Sequence, residues 1–106
     1  MITTAWNNGY HHPDGNGYGL RINSQDRDKF IKKSWGYLLI DLQGEEKPIY
    51  VNIQKESFWN GSCQELISKE IGVWIIKNKF VPWDKGYPPK FKLIPIEKNH
   101  FRLERM

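Results

Sequence analysis

Pro82, Gly86, Pro88 and Pro89 fall close together in the last third of the chain. Proline lacks a backbone donor and clashes with the carbonyl four residues before it, so no helix can persist beyond about Lys79. The apolar residues that follow, in Phe91-Lys92-Leu93-Ile94-Pro95-Ile96 and Phe101-Arg102-Leu103, are therefore expected to form two strands around a turn at Lys98-Asn99. A chain of 106 residues supports one domain, 1–106, with one small core. The upstream elements must complete the sheet that this strand pair begins.

Residues 6–17, from Trp6 to Gly17, are dense in Asn, Gly and Pro and read as a long exposed loop. Tyr18, Leu20 and Ile22 then alternate with Gly19 and Arg21, the pattern of a half-buried strand. Ser24 or Asn23 offers a cap to a helix over Gln25–Ile31, with Asp26 and Asp28 at its positive end. Trp35 to Leu42 is strand-like, Gln43 to Glu46 reads as a turn, and Ile49, Val51 and Ile53 alternate with polar neighbours, which together describe a hairpin. A polar link leads to a second helix with Ile67, Ile71, Trp74 and Ile75 at helical spacing, and Ser62 and Glu65 stand at capping-box spacing ahead of it.

The order strand, helix, two strands, helix, two strands leaves no room for long parallel crossovers, so the sheet should be largely antiparallel. The expected class is α+β, mostly β: a small antiparallel open barrel with two short helices, curled so that its edges are hidden. Leu20, Ile22, Phe30, Leu39, Val51, Ile71, Trp74, Ile75, Phe91 and Leu93 are the expected core. Trp6-Asn7-Asn8-Gly9 and Trp59-Asn60-Gly61-Ser62 are too short a likeness to indicate duplication.

An apolar fraction of 39% is too rich in core formers for a disordered chain, while a mean hydropathy of −0.69 and the lack of a long apolar run argue against a membrane span. Met1 to Trp6 has neither the charge nor the apolar length of an export signal. Cys63 is the lone cysteine, which forbids an internal disulfide and fits a reducing, cytoplasmic compartment. Up to residue 53, six Lys/Arg balance six Asp/Glu; beyond it, ten basic residues face six acidic ones. The pI near 9.2 is compatible with an anionic partner, but charge alone favours a merely soluble basic domain.

Catalytic constellations are weak. His11, His12 and Asp14 are ligand types, but adjacent histidines on extended backbone point opposite ways and no further ligands share their spacing, His100 lying in the terminal strand. Asp41, Glu45 and Lys47 approximate the acid-and-lysine spacing of a metal-dependent nuclease, yet Glu45 and Lys47 fall on the hairpin turn, where acidic residues are common anyway. Cys63 reads as a buried thiol rather than a nucleophile. We expect no metal, no cofactor and no hydrolytic activity with Mg²⁺ or Zn²⁺. Of the five tryptophans, Trp35 and Trp74 fit core faces and Trp83 packs the proline-rich turn. Trp6 and Trp59 stand in Asn/Gly/Ser segments, where a ring can stack on a base or sugar or can pin its own loop.

Four features carry a family resemblance over residues 18–93: Leu20-Arg21-Ile22 with the short charged helix ending at Phe30; the hairpin Leu39-Ile40-Asp41-Leu42 and Tyr50-Val51-Asn52-Ile53; the loop from Phe58 to Gln64; and Ile71-Gly72-Val73-Trp74-Ile75-Ile76 leading to Phe91-Lys92-Leu93. In these the chain resembles the DNA-binding pseudobarrel domain of plant transcription factors of the auxin-response and abscisic-acid-response type, found also in effector-binding domains of certain type II restriction endonucleases. In that family the tryptophan-asparagine-serine loop and the segment around the first strand form two arms that clasp the major groove. The resemblance implies a non-catalytic module for double-stranded DNA, with Arg21, Asn23, Trp59, Asn60, Ser62 and Gln64 near base edges. Lys55, Lys77, Lys79, Lys90 and Lys92 would then supply phosphate contacts.

Two departures stand out: the turn from Pro82 to Pro89 is longer and stiffer than the family's, and the loop beginning at Trp6 has no counterpart in it. The whole sequence is also similar to small bacterial proteins that share this opening and this proline-rich turn. The rival expectation is a protein-interaction module, such as an immunity, inhibitor or accessory subunit of a bacterial defence or toxin system, presenting Trp83 and Tyr87 as rigid anchors.

Overall fold

The strand pair anticipated from the prolines forms the spine of the sheet. The computed structural model of the chain describes residues 1–60 and 64–106; Ser62 and Cys63 lie outside them. In chain order the elements are β1 (Ile2–Asn7), β2 (Tyr18–Arg21), α1 (Ser24–Phe30), β3 (Tyr37–Leu42), β4 (Ile49–Asn52), α2 (Glu56–Trp59), β5 (Glu65–Ile67), α3 (Lys69–Lys77), β6 (Lys90–Glu97) and β7 (His100–Arg105). The seven strands lie in the order β4-β3-β7-β6-β1-β2-β5. This is a small α+β fold, mostly strands, whose single sheet curls into a nearly closed barrel with its two edge strands, β4 and β5, brought toward each other. All pairings are antiparallel except β3 with β7, where Leu39 to Leu42 run alongside His100 to Leu103.

Alternation explains which side chains enter the barrel. Leu20 and Ile22, Phe91 and Leu93, and Phe101 and Leu103 are fully buried, each separated by an outward residue. In β3 the inward set is Leu38, Ile40 and Leu42, not Leu39 as expected, because the hairpin register sets Leu38 opposite the buried Val51. Leu39 is half-buried on the outer face, and two adjacent leucines gave the pattern no way to choose between them. Phe30 likewise packs from the margin while the next residue, Ile31, takes the buried place.

The strand content exceeds expectation at two points. Trp6 and Asn7 belong to β1 rather than to a loop, and β1 bonds to both β2 and β6. Thr3, a polar residue on its inward side, is fully buried and donates its hydroxyl to the Phe91 carbonyl at 3.1 Å. The second addition is β5, which uses residues assigned to the second helix. That helix, α3, starts only at Lys69: Ser68 caps it by accepting from Ile71 N and donates its hydroxyl to Glu70, while Glu65 belongs to β5 and Ser62, the other half of the expected capping box, lies outside the described residues. The one-turn helix α2 brings the α-helices among the described residues to three.

α3 closes one end of the barrel. Ile71, Trp74 and Ile75 face inward, and the Trp74 indole donates 2.8 Å to the Gln43 carbonyl on the β3–β4 turn while its ring meets Phe91 edge-on. The opening loop lies against this helix through two glycines: a side chain on Gly72 would collide with the Gly15 carbonyl, and Gly15 itself has φ +88°. α1 and α2 gather at the other end. Arg27, 6% exposed, joins them by donating 2.7 Å to the Phe58 carbonyl.

Candidate functional site

Four strands set one row of side chains on the outside of the barrel. Thr4 is the cross-strand partner of Lys90 on one side and of Arg21 on the other, and Arg21 is in turn the partner of Glu65. Because Thr3, Ala5, Leu20, Ile22 and Phe91 point inward, their neighbours Thr4, Arg21 and Lys90 must point outward. The next row pairs Ile2 with Lys92. Ile2, Thr4, Arg21, Asn23, Gln64 and Lys90 line a single cleft of about 330 Å³.

The polar groups of this cleft are held in place. Lys90 Nζ reaches Thr4 Oγ1 at 3.3 Å, and Arg21 Nε forms an ion pair with Glu65 Oε2 at 3.6 Å. The same carboxylate oxygen accepts the Gln64 backbone N–H at 2.7 Å. Asn23 caps α1: its Oδ1 accepts from Asp26 N at 2.8 Å and its Nδ2 donates to Asp26 Oδ2. Gln64 is tied to β2 through its carbonyl, which accepts from Ile22 N at 3.0 Å. Lys92 extends the basic surface, and Glu104, across the strand from it, lies 3.8 Å from Arg102.

The other sequence-expected contact residues separate into two groups. Lys55, Trp59 and Asn60 sit on and beside α2, which Arg27 holds to the helix that Asn23 caps. The Trp59 indole donates 2.6 Å to the Ile53 carbonyl and its ring lies under the Arg27 guanidinium, 5.4 Å away, so this ring pins its own segment. Lys77 and Lys79 belong to the far end of α3, where Lys77 bonds Glu45 of the β3–β4 turn at 2.9 Å. That turn and α2 lie at opposite ends of β4, which keeps Lys77 and Lys79 away from the cleft.

A larger cavity of about 600 Å³ lies between this turn and α3. Its floor includes Leu42, Ile49 and Val73, and its rim sets Glu45, Glu46 and Glu70 against Lys47, Lys69 and Lys77. Balanced charge and the Lys77–Glu45 bridge give it no preference for an anion.

The ligand-type residues are dispersed. His11 Nδ1 lies 3.3 Å from the Tyr18 hydroxyl and the His11 ring meets Trp83 edge-on at 4.6 Å, whereas His12 packs on Tyr10. Burial pushes the Tyr18 phenol pKa above its usual value. Asp14 receives the Asn16 backbone N–H at 3.0 Å and the Asn16 side chain at 2.7 Å, and the backbone bond leads in holding its carboxyl below the usual range. Asp41 pairs with His100 at 2.7 Å, not with Glu45 or the opening loop. Among the described residues no three His, Cys, Asp or Glu side chains converge as a metal site would require, and no helix is long and apolar enough to cross a membrane.

Sequence reasoning missed Ile2, Thr4 and Glu65, because the strands that carry them, β1 and β5, were not read. The chain matches no known protein family, no curated protein and no solved structure in the comparisons made.

Proposed function

We propose that the protein binds double-stranded DNA, without catalysis, through the outer face of β6, β1 and β2 and the adjoining α1 and α2. The observation that carries this reading is the cleft in which Arg21, Asn23, Gln64 and Lys90 meet, residues drawn from positions 21 to 90 of the sequence. Each supplies what a duplex asks for. Lys90 and Lys92 carry compact charges suited to phosphates, Arg21 offers a planar fork, and Asn23 and Gln64 are amides of the type that read base edges. The resemblance to the pseudobarrel domain points to the same partner.

Titration of labelled random duplexes tests it. With Lys90 and Lys92 each neutralising one phosphate, the logarithm of affinity should fall with the logarithm of salt at a slope of about −2. Lys92→Ala should flatten that slope by about 0.9 and weaken all sequences alike. Absence of binding at low salt removes the proposal.

One observation favours the rival, a protein partner: Tyr87, on the proline-rich turn, is 79% exposed. Trp83, its intended companion anchor, instead packs on His11 and Tyr18. A stoichiometric partner that survives nuclease treatment in an affinity pulldown and is lost in Tyr87→Ala would favour this reading.

A further inference from the structure

We infer that Arg21 is the base-reading side chain of this face, that its target is guanine, and that Glu65 is the residue that positions it; the inference rests on the DNA-binding reading above. Arg21 and Glu65 are direct cross-strand partners on β2 and β5, so their side chains leave the sheet together. They differ sharply in environment: the Arg21 side chain is 58% exposed and the Glu65 side chain 11%. A carboxylate so nearly buried is a fixed reference point. It is anchored by the Gln64 N–H and set 3.6 Å from Arg21 Nε, the nitrogen nearest the root of the guanidinium.

Engaging the guanidinium at Nε has a geometric consequence. At 3.6 Å the carboxylate is an ion-pair partner on the Nε edge, and Nη1 and Nη2, which make no hydrogen bond with the described residues, remain a pair of donors on a side chain 58% exposed. Two parallel donors match the O6 and N7 acceptors that guanine presents in the major groove, and no other base offers two acceptors there. Lysine, a point charge, cannot reproduce this fork. The flanking groups differ in kind. Lys90 stands beyond Thr4 in the same row, one strand over, where it would meet backbone phosphate rather than a base edge. Glu65 does not touch the nucleic acid; it acts through Arg21.

The test begins with selection of preferred sites from a random duplex library by the whole protein, followed by titration of the best site and of the same site with 7-deazaguanine, which lacks N7. Selected sites should share a guanine, and the 7-deaza substitution should weaken binding by the wild-type protein about tenfold. Arg21→Lys should keep the salt slope and weaken the guanine preference, because lysine meets O6 and N7 as a point charge without the fork. Glu65→Gln should reduce the preference with the slope unchanged, and Glu65→Asp should restore part of it; a purely structural role would move the melting temperature and all sequences together. Should Glu65→Gln fail to fold, Glu65→Asp, which keeps a carboxylate beside Arg21, tests the positioning role: a guanine preference equal to the wild type's would overturn it. Binding with no guanine dependence, or a preference undiminished in Arg21→Lys, overturns this inference and leaves DNA binding standing. No binding to any duplex at low salt overturns both.

Discussion

Trp74→Ala probes the account of the core most severely. Trp74 is 1% exposed, meets Phe91 at 5.1 Å between ring centroids and Phe80 at 6.5 Å, and gives its indole N–H to the Gln43 carbonyl at 2.8 Å. An aromatic side chain of this kind buries about 150 to 250 Å², worth roughly 4 to 6 kcal/mol at about 25 cal/mol per Å² before the alanine's own share is subtracted. Large aromatic-to-alanine changes cost about 3 to 5 kcal/mol in practice. Removing the donor to Gln43 adds about 1 kcal/mol, so the expected loss is about 4 to 6 kcal/mol. Trp74→Phe retains the contacts with Phe91 and Phe80 and should lose about 1 to 2 kcal/mol. Urea unfolding followed by far-ultraviolet circular dichroism measures both, with a common m-value confirming that the two native states are equally compact. A Trp74→Ala unfolding free energy within about 1 kcal/mol of the parent's would refute the placement of α3 as the cap of the barrel.

Gly72→Ala should destabilise the protein even though alanine is the better helix former by about 1 kcal/mol, because the new methyl group collides with the Gly15 carbonyl. Limited proteolysis should then cut between residues 8 and 17 faster than in the parent, and an unchanged cutting rate with raised stability would contradict the close approach. Alkaline stability tests Tyr18, whose phenol holds its proton more tightly when folded than when unfolded. The unfolded chain releases that proton from about pH 10, so this contribution is complete below that pH and lost as pH climbs toward the raised folded value. The stability advantage of the parent over Tyr18→Phe should shrink above about pH 10 in urea titrations; a constant difference would mean that the hydroxyl is not buried as described.

The sequence was readable where hydrophobic alternation is strong. Leu20 with Ile22, Phe91 with Leu93, and Val51 with Ile53 all fall where period two placed them, and the prolines set the boundary after which only strands occur. β1 escaped notice because its inward side chains, Thr3 and Ala5, are small or polar and carry little hydrophobic signal; the bond from Thr3 to the Phe91 carbonyl that makes its burial tolerable is tertiary. β5 inverts the usual pattern, with Glu65 buried and Ile67 45% exposed, so its residues read more naturally as the start of the following helix.

The candidate site was legible residue by residue but not as a place. Arg21, Asn23, Gln64 and Lys90 stood out as polar or basic, yet only β1, lying between β2 and β6, brings them to one cleft. Lys77 and Lys79 carry the same charge in the sequence, and the fold sends them to the opposite end.

The central claim, that this one face engages a duplex, is tested most directly by amide chemical-shift mapping. ¹⁵N-labelled protein would be titrated at low salt with a short DNA duplex. The account predicts that the shifted signals cluster on Ile2, Thr4, Arg21, Asn23, Gln64, Lys90 and Lys92, while Lys77, Lys79 and the loop from Val81 to Tyr87 stay in place. Shifts concentrated at the α3 end or on the proline-rich turn, or no shifts at any duplex concentration, would contradict it.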